Sequence, residues 1–132
     1  MAIDILKIAR EYTVALATGK SGGELAQFFS TGVEQTEYPN RLNPSGGVSG
    51  YQTLIERSQK GKYLIDTQTF DIQREYVCGN TVILEIVWTA SFKVPFGQLA
   101  PGQPMKAFFG VFMEFIGDKI IRQRNYDCFE PF

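Results

Sequence analysis

The sequence predicts an α+β fold in which helices come first and strands follow. Helical spacing of apolar residues is confined to the stretch before Gly61, and from Leu64 onward four long β-rich runs succeed one another, broken only by turn residues. Alternating strand–helix units would be needed for a parallel doubly wound sheet, and they are absent. The length of 132 residues allows one core and leaves no room for two domains in tandem, so residues 1–132 are read as a single domain.

Ile5, Ile8, Ala9, Tyr12, Ala15 and Leu16 recur at helical spacing, and Gly19 supplies a left-handed stop, which predicts a helix over 3–18. Ser21 and Glu24 have the spacing of a capping box, and Leu25, Phe28 and Phe29 then give a short helix over 22–30. A strand over 33–38 ends at Pro39 and passes into an Asn-, Pro-, Ser- and Gly-rich loop, expected to be exposed and mobile, that runs to Gly50. Ser49 and Gln52 again resemble a box-like start, here for a helix over 50–61 with Leu54, Ile55 and Ser58 on one side. Strands are expected over 64–77, 81–94, 105–117 and 119–129, punctuated by Gly79-Asn80, the Pro/Gly loop at 95–104 and Gly117-Asp118.

Within Ala107–Ile116 only Gly110 and Glu114 interrupt the apolar run, so both faces of that strand are expected to be buried. A helix layer covers one face of a sheet. A second copy packed sheet against sheet is the simplest cover for the other, and a homodimer through the outer sheet face is therefore expected.

Composition excludes several function classes. Thirteen Lys and Arg against 14 Asp and Glu give a net charge near −1 without a charge run, so the electrostatic footprint for nucleic acid or an acidic membrane is missing. The chain has no histidine, which removes Ser-His-Asp and Cys-His nucleophiles and His-ligated metals; no metal site and no cofactor is expected. Proton chemistry must come from Asp, Glu, Tyr, Lys or Cys. Cys78 and Cys128 have no framework spacing and read as reduced, partly buried thiols. Asp4, Lys7, Arg10 and Glu11 interrupt the N-terminal apolar pattern, so a secretion signal is not expected, nor a membrane span; the expected location is cytoplasmic. Gly19-Lys20-Ser21 resembles the end of a phosphate loop, but Val14 stands at the first glycine's position and the segment follows a helix.

The helix–helix–strand–helix start, the four-stranded meander, Glu37-Tyr38-Pro39 and the final Arg124-Asn125-Tyr126 segment together resemble the nuclear-transport-factor-2-like superfamily. Within it the chain is most similar to SnoaL-like polyketide cyclases, ketosteroid isomerases and limonene-epoxide hydrolases. The resemblance implies a cystatin-like α+β roll: a cone-shaped, curled, mixed or antiparallel sheet wrapped around three N-terminal helices and enclosing an apolar pocket. It also implies dimerisation through the outer sheet face. The epoxide hydrolases match at Arg124 and Tyr126 but have Asp where this chain has Asn125, and their earlier Arg and Asp fall at Ile86 and Trp88, so their water-activating set is not reproduced. Gln35 and Glu37 fall at polar pocket positions.

On the last strand Gln123, Asn125 and Asp127 alternate with Arg122, Arg124 and Tyr126, so one set faces inward and the other outward. The resemblance puts Asn125 inward, and Asp127 shares its face. Walled by residues such as Phe28, Trp88 and Phe112, an Asp127 carboxylate would be desolvated and made a general base for a carbon acid. Alternatively it sits near the strand end, bonded to Arg or backbone groups. Glu37 is a second acid or orienting acceptor, or else a solvated residue before Pro39. Asn125 and Tyr126 are candidate hydrogen-bonding helpers, with Gln35, Phe28, Ile86, Trp88 and Phe112 as ligand-contacting residues; Trp88 equally fits as core. Arg122 and Arg124 are expected to pair with Glu114 or Glu85. Two functions fit: a cofactor-independent isomerase, cyclase or hydrolase of a small apolar carbonyl compound with Asp127 as base, or a non-catalytic module that binds a small hydrophobic molecule or a protein partner.

Overall fold

A computed structural model describes residues 2–132. The first helix, α1 (Ile5–Ala17), starts where the Asp4 side chain accepts from the Lys7 amide at 3.1 Å and stops where Gly19 adopts φ +75 and the Lys20 amide returns to the Ala15 carbonyl. It buries Ala9, Tyr12, Thr13 and Ala15. The short helix α2 (Gly23–Ala26) is only four residues long and has Gly22, not Ser21, as N-cap, so the expected capping box is not formed. It ends early because Phe28 and Phe29 are drawn into sheet pairing: the Ile120 amide donates to the Phe28 carbonyl at 2.8 Å, and β1 (Phe29–Glu37) begins four residues before the expected start.

The loop after β1 contains an unforeseen strand, β2 (Gly47–Ser49), paired antiparallel to β1 with Glu37 opposite Gly47. Gly46 makes this return possible. It has φ +62, and a Cβ there would lie 2.5 Å from the Glu37 carbonyl oxygen. Helix α3 (Tyr51–Gly61) follows with Gly50 as N-cap and no side-chain cap, so the Ser49–Gln52 box is also absent; the Ser49 hydroxyl instead accepts from Arg57 at 2.6 Å. The chain then runs through β3 (Ile65–Cys78), β4 (Thr81–Phe92), β5 (Met105–Ile116) and β6 (Lys119–Phe129), close to the expected ranges.

The six strands form one sheet in the order β2-β1-β6-β5-β4-β3. Neighbours are antiparallel except β1 and β6, which run parallel, and this mixed centre puts the N-terminal strand beside the C-terminal one. Register shifts on β3 at Ile65/Thr67 and Ile72/Arg74 and between β5 and β6 at Glu114/Phe115 interrupt the ladders, a feature that bends and twists strands locally.

The helices cover one sheet face, and residue parity records it. On β4 the even residues Val82, Leu84, Ile86, Trp88 and Ala90 are all buried, and on β5 the odd residues from Met105 to Phe115 face the same way. The main core joins Val82, Leu84, Ile86, Val111, Met113 and Phe115 to Ala9, Tyr12, Leu25, Phe29, Val33, Leu54 and Ile120; a second cluster gathers Trp88, Ala90, Leu99, Met105 and Ala107 beneath the 95–104 loop. On the opposite face of β5 burial is incomplete within one chain: Phe108 is 47% and Ile116 62% exposed. Cys78 and Cys128 are both exposed rather than partly buried, since each falls near a strand end on the uncovered side. Among the described residues no helix is long and apolar enough to cross a membrane.

Candidate functional site

Between the helices and the inner sheet face lies a cavity of about 640 Å³. Its walls are mainly apolar: Leu16 from α1, Leu25 from α2, Leu54 from α3, and Phe70, Leu84, Ile86, Phe109, Val111 and Met113 from the sheet. It opens where Thr18, Gly19, Lys20, Lys62 and Asp66, all exposed, meet at the C-terminal ends of α1 and α3 and the start of β3. That is also the end of the sheet at which β1 and β6 finish.

One wall is polar. Strand alternation puts Gln123, Asn125 and Asp127 of β6 on the inner face, and the parallel ladder sets Gln35 beside Gln123 and Glu37 beside Asn125. On the other side of β6, Phe109 stands opposite Asp127 and Val111 opposite Asn125, so the carboxyl group has an apolar flank.

Asp127 is the most perturbed acid in this wall. Burial, and after it the negative charge of Glu37, push its pKa up from 3.8 to about 7, and among the described residues no hydrogen bond or cation offsets them. Glu37 is differently placed: its carboxylate accepts from Asn40 Nδ2 at 2.8 Å and Asn43 Nδ2 at 3.3 Å, so the loop after β1 anchors it. Asn125 Oδ1 accepts from Gln123 Nε2 at 3.0 Å, which leaves the Asn125 amide NH₂ as the group free to donate. The Tyr12 hydroxyl has its pKa pushed up to about 12, mainly by burial, while Gln123 and Gln35 pull the other way.

Of the candidates read from sequence, the structure brings Asp127, Asn125, Gln35 and Ile86 to the cavity wall, with Glu37 alongside. Tyr126 and Phe112 are not there. Both belong to the outward parity, where Tyr126 stacks on Tyr38 with ring centroids 4.5 Å apart and meets Phe112 edge-on at 5.5 Å. Trp88 does face inward, but it is taken up by the second aromatic cluster, against Phe109 and Phe129, and its Nε1 donates to Gln68 Oε1 at 3.2 Å. Phe28 packs edge-on against Tyr12, outside the lining. Tyr12 and Gln123 are among the lining residues not expected from the sequence: Tyr12 counted only as one apolar step of a helix, whereas Gln123 shares its parity with Asn125 and could have been found from that alternation alone.

The outer face of the same strand holds ordinary ion pairs. Glu114 receives Arg124 and, at 3.3 Å, Arg122, as the spacing suggested, and its carboxyl is held below the usual carboxylate range chiefly by the Arg124 hydrogen bond. Among the described residues no group of three or more Cys, Asp or Glu side chains is arranged to hold a metal ion.

No family model matches the sequence, and no curated protein matches it. Solved structures do resemble the fold. A SnoaL-like polyketide cyclase from Agrobacterium tumefaciens is 18% identical with a TM-score of 0.71, the match covering 96% of this chain and 92% of that one. An NTF2-like protein from Anabaena variabilis ATCC 29413 is 20% identical with a TM-score of 0.71, covering 100% and 96%. A protein of ketosteroid isomerase-like fold from Catenulispora acidiphila DSM 44928, solved with trimethylamine, is 17% identical with a TM-score of 0.65, covering 88% and 84%. At these identities the likeness establishes the fold.

Proposed function

We propose that this chain, which has the nuclear-transport-factor-2-like fold of the SnoaL-like cyclases and ketosteroid isomerase-like proteins, is a cofactor-independent enzyme that deprotonates a small apolar carbonyl compound. The observation that carries the reading is Asp127: a desolvated carboxyl group on the wall of a mainly apolar cavity, with no cation or hydrogen-bond donor among the described residues on it, whose pKa of about 7 matches that wanted of a general base at neutral pH. An ion-paired structural carboxylate would be shifted the other way, as Glu114 is.

The arrangement supports a proton-abstraction step. With substrate bound, Asp127 takes a proton from the carbon next to the carbonyl, the electron pair of the broken C–H bond becomes the new C=C bond, and the carbonyl π pair moves to oxygen as the enolate forms. Asn125 lies two residues along on the same face with its NH₂ unspent, and donates to that oxygen as charge develops there. Where a C=C bond adjoins the enolate, return of the proton to its far carbon completes an isomerisation; attack of the enolate carbon on a second carbonyl carbon of the same molecule closes a ring, and the proton held by Asp127 passes to the resulting alkoxide. The apolar walls keep water from quenching the charge, and Glu37, held by its two asparagines, keeps Asp127 basic.

Incubating the protein in D₂O with a panel of aryl methyl ketones and following loss of the α-proton signal by NMR tests this. Exchange above the buffer rate that disappears in Asp127→Asn supports the base. Ligand binding with no exchange by the wild type would instead identify a non-catalytic binding module.

We further propose that two copies pair through the outer sheet face, since Phe108, Ile116 and Tyr126 remain exposed there in the single chain. Sedimentation should give a dimer that Phe108→Asp converts to a monomer; a wild-type monomer at tens of micromolar would overturn the pairing.

A further inference from the structure

The cavity contains a second polar cluster that the chemistry above leaves idle. Past Asn125, farther from the opening, Gln123 and Gln35 lie side by side on the inner wall with Tyr12 of α1 facing them, and they are only 3%, 8% and 4% exposed. Leu84 and Met113, both fully buried, surround this end. Two amides and a phenol do not suit such a place unless their hydrogen bonds are met.

They are met only in part. Gln123 Nε2 donates to Asn125, yet Gln123 Oε1 has no partner among the described residues. The Tyr12 hydroxyl stands near enough to Gln123 and Gln35 for them to oppose the effect of its burial, without forming a well-shaped bond to Gln123 Oε1. A residue lining a ligand-sized cavity thus keeps a buried acceptor in want of a donor, beside a phenol that can both donate and accept.

We propose that Gln123 and Tyr12 form a subsite for a ligand hydroxyl at the deep end of the cavity, so that the substrate is an apolar ring compound with a hydroxyl at one end and an enolisable carbonyl at the other. The hydroxyl donates to Gln123 Oε1 and accepts from the Tyr12 O–H. This rests on Asp127 as the base, because Asp127 marks where the reacting carbon lies. Gln123 and Asp127 are four residues apart on one strand, roughly 13 Å. A hydrogen bond of about 3 Å at the deep end and a similar approach at the carboxylate leave roughly 7 Å between hydroxyl oxygen and reacting carbon, about the span of two fused six-membered rings.

Three probes test it: 6-hydroxy-2-acetylnaphthalene, its 6-methoxy ether and unsubstituted 2-acetylnaphthalene, with Kd measured by fluorescence for the wild type, Gln123→Met and Tyr12→Phe. The wild type should bind the hydroxyl probe about tenfold more tightly than either of the others, the size expected for a bond that relieves a buried acceptor. Gln123→Met should erase the preference while affinity for 2-acetylnaphthalene stays within about threefold, and Tyr12→Phe, which removes one oxygen and leaves the packing, should weaken the preference if Gln123→Met does not fold. Equal wild-type affinity for the hydroxyl and unsubstituted probes, a preference that survives in Gln123→Met, or one undiminished in Tyr12→Phe, overturns the subsite. Deuterium exchange at the probes' acetyl group reports Asp127 separately: exchange without hydroxyl preference sinks the subsite alone, preference without exchange sinks the base alone, and failure of all three probes to bind sinks both.

Discussion

The two faces of β6 are built from neighbouring residues and do opposite things with charge. Outward, Arg122 and Arg124 meet Glu114, and every charge has a partner. Inward, three residues beyond Arg124, Asp127 lies against an apolar flank with only another carboxylate among the described residues to influence it. Partners in water or in a salt bridge hold the charged form of a group, whereas burial beside a like charge favours the neutral form. The contrast teaches that a carboxylate's surroundings, rather than its presence, mark it as reactive. Glu114 and Asp127 are the same chemistry on neighbouring strands, shifted in opposite directions.

Replacing the inward carboxylate should break the contrast most severely. Asp127→Asn keeps the shape and removes the base, and the rate of α-proton exchange should fall by about 10² to 10⁴, the usual contribution of a positioned general base. Glu37→Gln removes the smaller cause of the Asp127 shift and keeps the larger. Carbon-detected titration should then show the Asp127 pKa lower than in the wild type but still above 3.8, with the exchange-rate profile moving to lower pH by the same amount. An unchanged Asp127 titration would mean that burial acts alone.

How far this contrast was legible in the sequence depends on which physical signal carried it. Period two along the last strand separates Gln123, Asn125 and Asp127 from Arg122, Arg124 and Tyr126 without any coordinates, and the same count put the arginines with Glu114 or Glu85, of which the sheet order selects Glu114. Parity alone does not tell which face is inside, and Tyr126 and Phe112 were drawn toward the pocket by their chemistry although both share the outward face. Trp88 shows a different limit: its parity was right, but a side chain facing inward can serve a second cluster, and only packing against Phe109 and Phe129 reveals which. Local capping signals also gave way. Ser21 and Ser49 have cap-like spacing, yet long-range pairing of β1 with β6 and of β2 with β1 decided where α2 and α3 begin and end.

A smaller effect should appear in stability. Because the Asp127 pKa is raised in the folded protein, the folded state holds more protons than the unfolded chain between about pH 4 and pH 7, and stability contributed by this group falls as pH rises through that window. Asp127→Asn mimics the neutral form at every pH. The variant should therefore melt a few degrees above the wild type at pH 8, on the order of 1 kcal/mol after allowing for partial solvent access, and the difference should vanish toward pH 4. Calorimetry at four or five pH values checks it, and a variant less stable than the wild type at pH 8 would mean the carboxylate has a favourable partner.

The outward face should yield the least. Arg124→Gln removes the closer of the two cations on Glu114, but Arg124 remains a third exposed, Arg122 stays in place, and exposed pairs of this kind contribute less than about 1 kcal/mol. Its thermal midpoint should move by no more than a few degrees, and α-proton exchange should stay within about twofold of the wild type, because the guanidinium lies on the far side of the sheet from Asp127. The Glu114 carboxyl, freed of its main partner, should titrate higher than before. A large loss of exchange with the fold intact would be the instructive failure, since charge on the outer face would then be reaching the inner one through the strand, and the two faces could no longer be treated as separate environments.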